Sequence, residues 1–105
     1  MITKSFCTVN GKRVARIRFV LQSCLWAGTV HLVGDLDNWN RKAHPFARDD
    51  SGNWSITIDL PEGRQYQFRY LCDDTRWIND PQADGYVRTI HGDENFIVNT
   101  EVSAS

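Results

Sequence analysis

The chain lacks a dominant charge: 12 Lys and Arg stand against 13 Asp and Glu, for a formal net charge of −1. That balance leaves no electrostatic footprint for nucleic acid, and none is expected as a partner. Any apolar run long enough to span a bilayer is also missing. The opening Met1–Ser5 has neither an apolar h-region nor a cleavage signal, so a cytoplasmic protein with no membrane partner is expected. Cysteine is scarce. Cys7, Cys24 and Cys72 are odd in number and show no CxxC spacing, which argues against a disulfide framework and a zinc-ligand pattern. Small buried thiols in a reducing compartment are the expectation for them. No repeat, low-complexity tract or linker divides the 105 residues, so residues 1–105 are read as one domain. A chain of this size should bury roughly 60–70% of its unfolded surface, enough for one core without metal or disulfide support.

What is present is a period of two. Trp54, Ile56, Ile58 and Leu60 share one face of residues 54 to 60. Tyr66, Phe68, Tyr70 and Cys72 share one face of residues 66 to 72, with Gln67, Arg69 and Leu71 opposite. Phe96 and Val98 alternate with Asn95, Ile97 and Asn99. Turn signals separate these runs: Asn10-Gly11, Gly34, Ser51-Gly52-Asn53, Pro61-Glu62-Gly63, Asp80-Pro81, Asp84-Gly85 and Gly92. The pattern predicts an all-β sandwich of about seven or eight short antiparallel strands. Residues 12 to 25 also fit a basic amphipathic helix, through Ile17, Val20, Leu21, Cys24 and Leu25. Asn10-Gly11 favours a tight hairpin and hence a strand, with Ala15, Ile17, Phe19 and Leu21 inward and Arg16 and Arg18 outward. Residues 35 to 51 are read as one long irregular segment.

The functional signal is tryptophan in polar company. Val30–Asn40 runs from an alternating strand through Gly34 into Asp-Leu-Asp-Asn-Trp-Asn, which places Trp39 where no core-seeking pattern would. Trp77 recurs in Thr-Arg-Trp-Ile-Asn-Asp-Pro. Each ring either folds back over the sheet edge or serves as a platform for the C–H face of a pyranose, which suits a flat indole beside hydrogen-bonding groups. Arg69, Asn95, Asn38 and Asn40 are the polar partners such a platform would use; Arg69 is expected to be exposed, and Asn95 has the alternative of capping a turn. Trp54, in phase with three aliphatic residues, reads as core, and Trp26 has no assigned place. Catalysis finds no constellation. His31, His44 and His91 lie apart with no nucleophile in a recognisable setting, and Asp49-Asp50 and Asp73-Asp74 precede or occupy turns, where solvated carboxylates are the rule. Asp35, Asp37 and Asn38 lack the glycine and terminal glutamate of a calcium loop. Neither enzyme activity, metal nor cofactor is expected.

The order of these motifs resembles one family. Val30–Asn40, Trp54 in Gly-Asn-Trp-Ser-Ile-Thr-Ile-Asp-Leu-Pro-Glu-Gly, Phe68-Arg-Tyr-Leu-Cys-Asp, Trp77-Ile-Asn-Asp-Pro and Gly92-Asp-Glu-Asn-Phe-Ile-Val follow carbohydrate-binding module family 48, the isoamylase N-terminal or early-set domain. The match runs over about residues 12–100. It is similar to the glycogen-binding domain of the AMP-activated protein kinase β subunit. The resemblance implies an immunoglobulin-like early-set β-sandwich that binds an α-glucan such as glycogen, with Trp39 and Trp77 stacking on glucose. It further implies polar roles for Arg69 and Asn95, and a loop at Ile90 and His91 that enters the glucan's helical turn. Three departures stand out: Leu36 where Phe is common, Asp37 where Asn is common, and a turn before Trp77, Asp73-Asp74-Thr75-Arg76, that is one residue longer and lacks glycine. The last bears on where Trp77 points. The alternative is a docking module for a carbohydrate-active enzyme or kinase-type partner, using a sheet edge or the Arg13/Arg16/Arg18 face.

Overall fold

The structure is a computed structural model and describes residues 2–21, 28–78, 83–90 and 92–101, without the side chain of Asp37. Cys24, Trp26 and His91 lie outside the described residues. The chain is all-β, in two antiparallel sheets. One sheet holds β1 (Ile2–Val9), β2 (Lys12–Leu21), β6 (Trp54–Pro61) and β5 (Ala47–Arg48), in the order β1-β2-β6-β5. The other holds β3 (Val30–Gly34), β4 (His44–Pro45), β7 (Gln65–Cys72), β10 (Glu94–Asn99) and β9 (Gly85–Arg88), in the order β4-β3-β7-β10-β9. The short β8 (Arg76–Ile78) also pairs with β7.

The first hairpin follows from Asn10-Gly11. Both residues take positive φ, 51° and 78°, so Val9 pairs with Lys12 and the register is fixed along eight residue pairs. Mirror-image turns of this kind match the twist of the flanking strands. The ambiguous segment is therefore strand as far as Leu21: Ala15, Ile17 and Phe19 are fully buried, and Arg16 and Arg18 are exposed. The same alternation buries Tyr66, Phe68, Tyr70 and Cys72 on β7, and Phe96 and Val98 on β10. Trp54 is buried as predicted.

Rings join the two sheets. Phe19 meets Phe68 at 5.2 Å between centroids and Tyr70 at 6.1 Å, both edge-on, as aromatic quadrupoles prefer. The thiol of Cys72 lies in this core, and burial pushes its pKa above the ordinary thiol range. Cys7 is only half-buried, in contrast to the expectation.

Ten strands are present among the described residues, more than the seven or eight expected, because residues 35–51 are not wholly irregular. β4 and β5 lie within them, two residues each, on different sheets. Between them Phe46 donates its N–H to the Val30 carbonyl (2.8 Å) and packs its buried ring on Tyr70 at 5.6 Å. One buried ring thus pins the chain where it crosses from sheet to sheet. Two-residue strands are too short to show alternation, which is why the sequence pattern misses them.

Candidate functional site

The outer face of the larger sheet carries an open cleft of about 260 Å³, lined by Val33, Trp39, Arg41, Arg69, Trp77, Thr89, Asp93 and Asn95. Its floor comes from register. Val33 on β3 lies directly across from Arg69 on β7, and Leu71 on β7 lies across from Trp77 on β8. Val33 and Leu71 are buried although both point away from the core side chains. β10 pairs with β7 over Gln65–Phe68, and β8 takes the same edge over Tyr70–Cys72. Arg69 stands at the seam between them.

The wall that carries Trp39 begins at Gly34. A β-carbon there would collide with the carbonyl oxygen of Gln67 and come within 3.2 Å of the Phe68 Cα, so only glycine lets β3 approach β7 this closely. The chain then forms a single 3-10 turn, Asp35–Asp37, and Asp35 Oδ1 accepts the Gln67 N–H at 2.9 Å. Asn38 ends the turn in the left-handed region (φ 61°, ψ 34°), and the Trp39 N–H returns to the Gly34 carbonyl at 2.7 Å, a Schellman-type closure. Trp39 itself has φ 61°. Positive φ is strained for a bulky L-residue, at a cost of about 1–3 kcal/mol. The hydrogen bonds of Asp35 and Gly34 hold it there, with the residue 37% exposed at the cleft.

Trp77 reaches the same cleft across the longer turn. Asp73 and Asp74 both take positive φ, 51° and 62°, supplying without glycine the curvature that the turn requires. Asp73 Oδ1 accepts the N–H groups of Gly28 (2.7 Å) and Thr29 (3.0 Å), tying the turn to the start of β3. Two guanidiniums lie over the Trp77 ring, Arg69 with Cζ 4.7 Å from the centroid and Arg41 at 5.5 Å. Both distances fall within the range of a cation–π contact.

Of the residues singled out from sequence, Trp39, Trp77, Arg69 and Asn95 come together. Arg69 corrects an expectation: it is half-buried, not exposed, because Trp77 covers it, and its Nε is buried with no hydrogen-bond partner among the described residues. Asn95 does not cap a turn; it lies in β10 and donates from Nδ2 to Gln67 Oε1 at 3.1 Å. Asn38 is exposed and does not line the cleft, since its part is to end the 3-10 turn. Asn40 is occupied locally, accepting the Lys42 N–H. No cluster of three or more potential metal ligands occurs among the described residues.

Sequence reasoning missed Val33, Arg41, Thr89 and Asp93. Val33 carried a signal, an apolar residue out of phase with the inward Val30 and Leu32. Arg41 follows Trp39 by two positions. Thr89 and Asp93 bracket Gly92 and close their loop through Thr89 N–H to Asp93 carbonyl (2.7 Å), a pairing no local pattern shows.

Fold and cleft together define a two-sheet β module with an aromatic and basic groove on one sheet face. Residues 21–83 match carbohydrate-binding module 48 (isoamylase N-terminal domain), and the chain belongs to that family. Among curated proteins it is similar to the 1,4-alpha-glucan branching enzyme GlgB of Vibrio cholerae, 40% identical over 60 residues, which are 56% of this chain and 8% of that enzyme. It is 53% identical over 32 residues to the 1,4-alpha-glucan-branching enzyme of Dictyostelium discoideum, covering 30% of this chain and 5% of that protein. To GlgB of a Synechococcus strain it is 28% identical over 79 residues, 71% of this chain and 10% of that enzyme. The match thus spans a tenth or less of the length of these relatives. No helix among the described residues is long and apolar enough to cross a membrane.

Proposed function

We propose that this chain is a non-catalytic module that binds an α-glucan of the glycogen or starch type by stacking glucose rings on Trp39 and Trp77. The observation that carries the reading is the convergence of both tryptophans with Arg69 and Asn95 in one open cleft. The family match and the names of its relatives, enzymes of 1,4-α-glucan branching, supply the ligand class. Trp39 offers the sugar an exposed ring, while Trp77 brings a ring whose neighbours are the two arginines. Ile90, 96% exposed and next in the chain to the cleft-lining Thr89, would offer an apolar side chain to the less polar interior of a glucan turn.

Each stacked ring removes roughly 40–60 Å² of apolar surface from water, worth about 1–1.5 kcal/mol. A few hydrogen bonds add about 1 kcal/mol each. Set against an association cost of several kcal/mol, these terms give a Kd on the order of 10 µM to 1 mM. The module would serve an enzyme acting on 1,4-α-glucan in the cytoplasm.

Titration of intrinsic fluorescence with maltoheptaose tests this. A saturable change in the stated range supports it, and no change at millimolar ligand with the protein folded refutes it. The exposed Tyr86, Val87 and Ile90 favour one second reading, a docking face for a protein partner, which that negative result would promote.

A further inference from the structure

We propose that the cleft contains a subsite for an anionic substituent on the glucan, a phosphate monoester on a glucose residue, formed by Arg41 and Arg69. The inference rests on the glucan-binding reading and names a ligand class within it.

Arg41 and Arg69 line the same cleft and contact the same ring, Trp77. Elsewhere Arg16 pairs with Asp59 at 2.8 Å and Arg13 with Glu62 at 2.9 Å, while Arg48 and Arg64 each lie singly over a ring, Trp54 and Tyr66; only in the cleft do two guanidiniums share one ring among the described residues. Among the described residues, no carboxylate forms an ion pair with Arg41 or Arg69. Their charges rest on one shared π face, and a cation–π contact does not itself use the in-plane N–H groups. Arg69 Nε is buried without a hydrogen-bond partner among those residues.

A neutral sugar needs one such group to orient its hydroxyls. Two guanidiniums drawn to one ring repel each other, and a ligand hydroxyl does nothing to offset that repulsion. A phosphate monoester does, because it carries nearly two negative charges at neutral pH and three acceptor oxygens. Arginine forks match that tetrahedral array with paired, charge-assisted hydrogen bonds. Asp93 also lines the cleft. It leaves the lining at two positive charges against one negative, and among the described residues it forms no ion pair with either arginine, so it can accept from sugar hydroxyls. The sugar therefore stacks on Trp39 while its substituent lies against Arg41 and Arg69.

The test compares four probes by fluorescence or calorimetric titration at low ionic strength: maltoheptaose, maltoheptaose carrying one 6-phosphate, glucose 6-phosphate and inorganic phosphate. The phosphorylated oligosaccharide is expected to bind about tenfold more tightly than maltoheptaose, with an advantage that shrinks as salt rises. In Arg41→Gln and Arg69→Gln, each checked for an unchanged melt, the ratio of the two affinities falls towards one. Equal affinities in the wild-type protein, or an unchanged ratio in both folded variants, overturn the subsite and leave the glucan reading standing. Glucose 6-phosphate binding as tightly as the phosphorylated oligosaccharide overturns it in favour of a free sugar phosphate. Inorganic phosphate matching the phosphorylated oligosaccharide, with maltoheptaose silent, refutes both readings.

Discussion

On the outer face of the four-stranded sheet, Arg16 sits directly across from Asp59 and donates to both of its carboxylate oxygens, at 2.8 and 3.1 Å. On the outer face of the larger sheet, Arg69 sits directly across from Val33 and rests on a tryptophan. Both strands alternate, both arginines point away from the core, and neither position differs in period or propensity. On the first face Arg16 and Arg13 are paired with Asp59 and Glu62; the second holds buried apolar side chains, the exposed Trp39, the half-buried Trp77 and a guanidinium nitrogen with no hydrogen-bond partner among the described residues. Trp54 Nε1 and Tyr66 OH are also buried without a partner among the described residues, but they belong to the core, whereas Arg69 lines an open cleft where a ligand can reach it.

Substitutions can break or sharpen this contrast. Phe19→Ala removes the ring that bridges the sheets, and a loss of about 3–5 kcal/mol is expected in urea unfolding. Both faces should fail together, with glucan binding lost in proportion to the unfolded fraction. Gly34→Ala acts from the larger sheet alone: the added carbon meets the Gln67 carbonyl, and about 2 kcal/mol should go. For a domain of this size that is a melting-temperature fall of roughly 8–16 °C. Glucan affinity should drop at temperatures where the variant is still folded, because the displaced β3–β7 contact carries Trp39.

Trp39→Gly should separate stability from binding. Glycine relieves the positive φ, so the melt is expected to move by no more than about 1 kcal/mol, while affinity for maltoheptaose falls tenfold or more. A large loss of stability would mean the ring is core. Asp59→Asn should give the smallest effect. Hydrogen bonding to Arg16 holds the Asp59 carboxyl below its ordinary pKa. Its contribution is therefore present above the usual carboxylate range and disappears as pH falls through the depressed value. The wild-type protein should melt slightly higher than the variant at neutral pH and low salt, and equally at acid pH; glucan binding should not change.

The core was legible because its residues obey a period. Ile17, Phe68 and Val98 announce burial by alternation alone, and Asn10-Gly11 announces its hairpin because both residues tolerate the positive φ that the turn requires. The site was half legible. Trp39 and Trp77 stood out by polar company, and their resemblance to a known family paired them, but the cleft depends on cross-strand neighbours that no local window contains. Val33 lies 36 residues from Arg69, and Asp93 lies 52 from Arg41. Arg69 was placed on the correct face with the wrong exposure, since alternation says which way a side chain points and not what lies over it. The Asp73-Asp74 turn was a departure from the family pattern, and its two left-handed aspartates show how the strand can still turn back without glycine.

β7 is bordered by β3 along one edge, and by β10 and then β8 along the other. In folding terms, the cleft sits where three separate chain closures must all have been completed. The pairings of β3 and β10 with β7 are long-range and of the kind that form slowly and late, whereas β8 closes on β7 through a local turn. No fragment lacking one of them assembles the cleft, so competence to bind would mark a fully folded molecule. A ligand that selects that state stabilises the whole protein, by about 1.4 kcal/mol at ten times its Kd. Amide protection in β8, the shortest of the three partners, is where that stabilisation should be felt first.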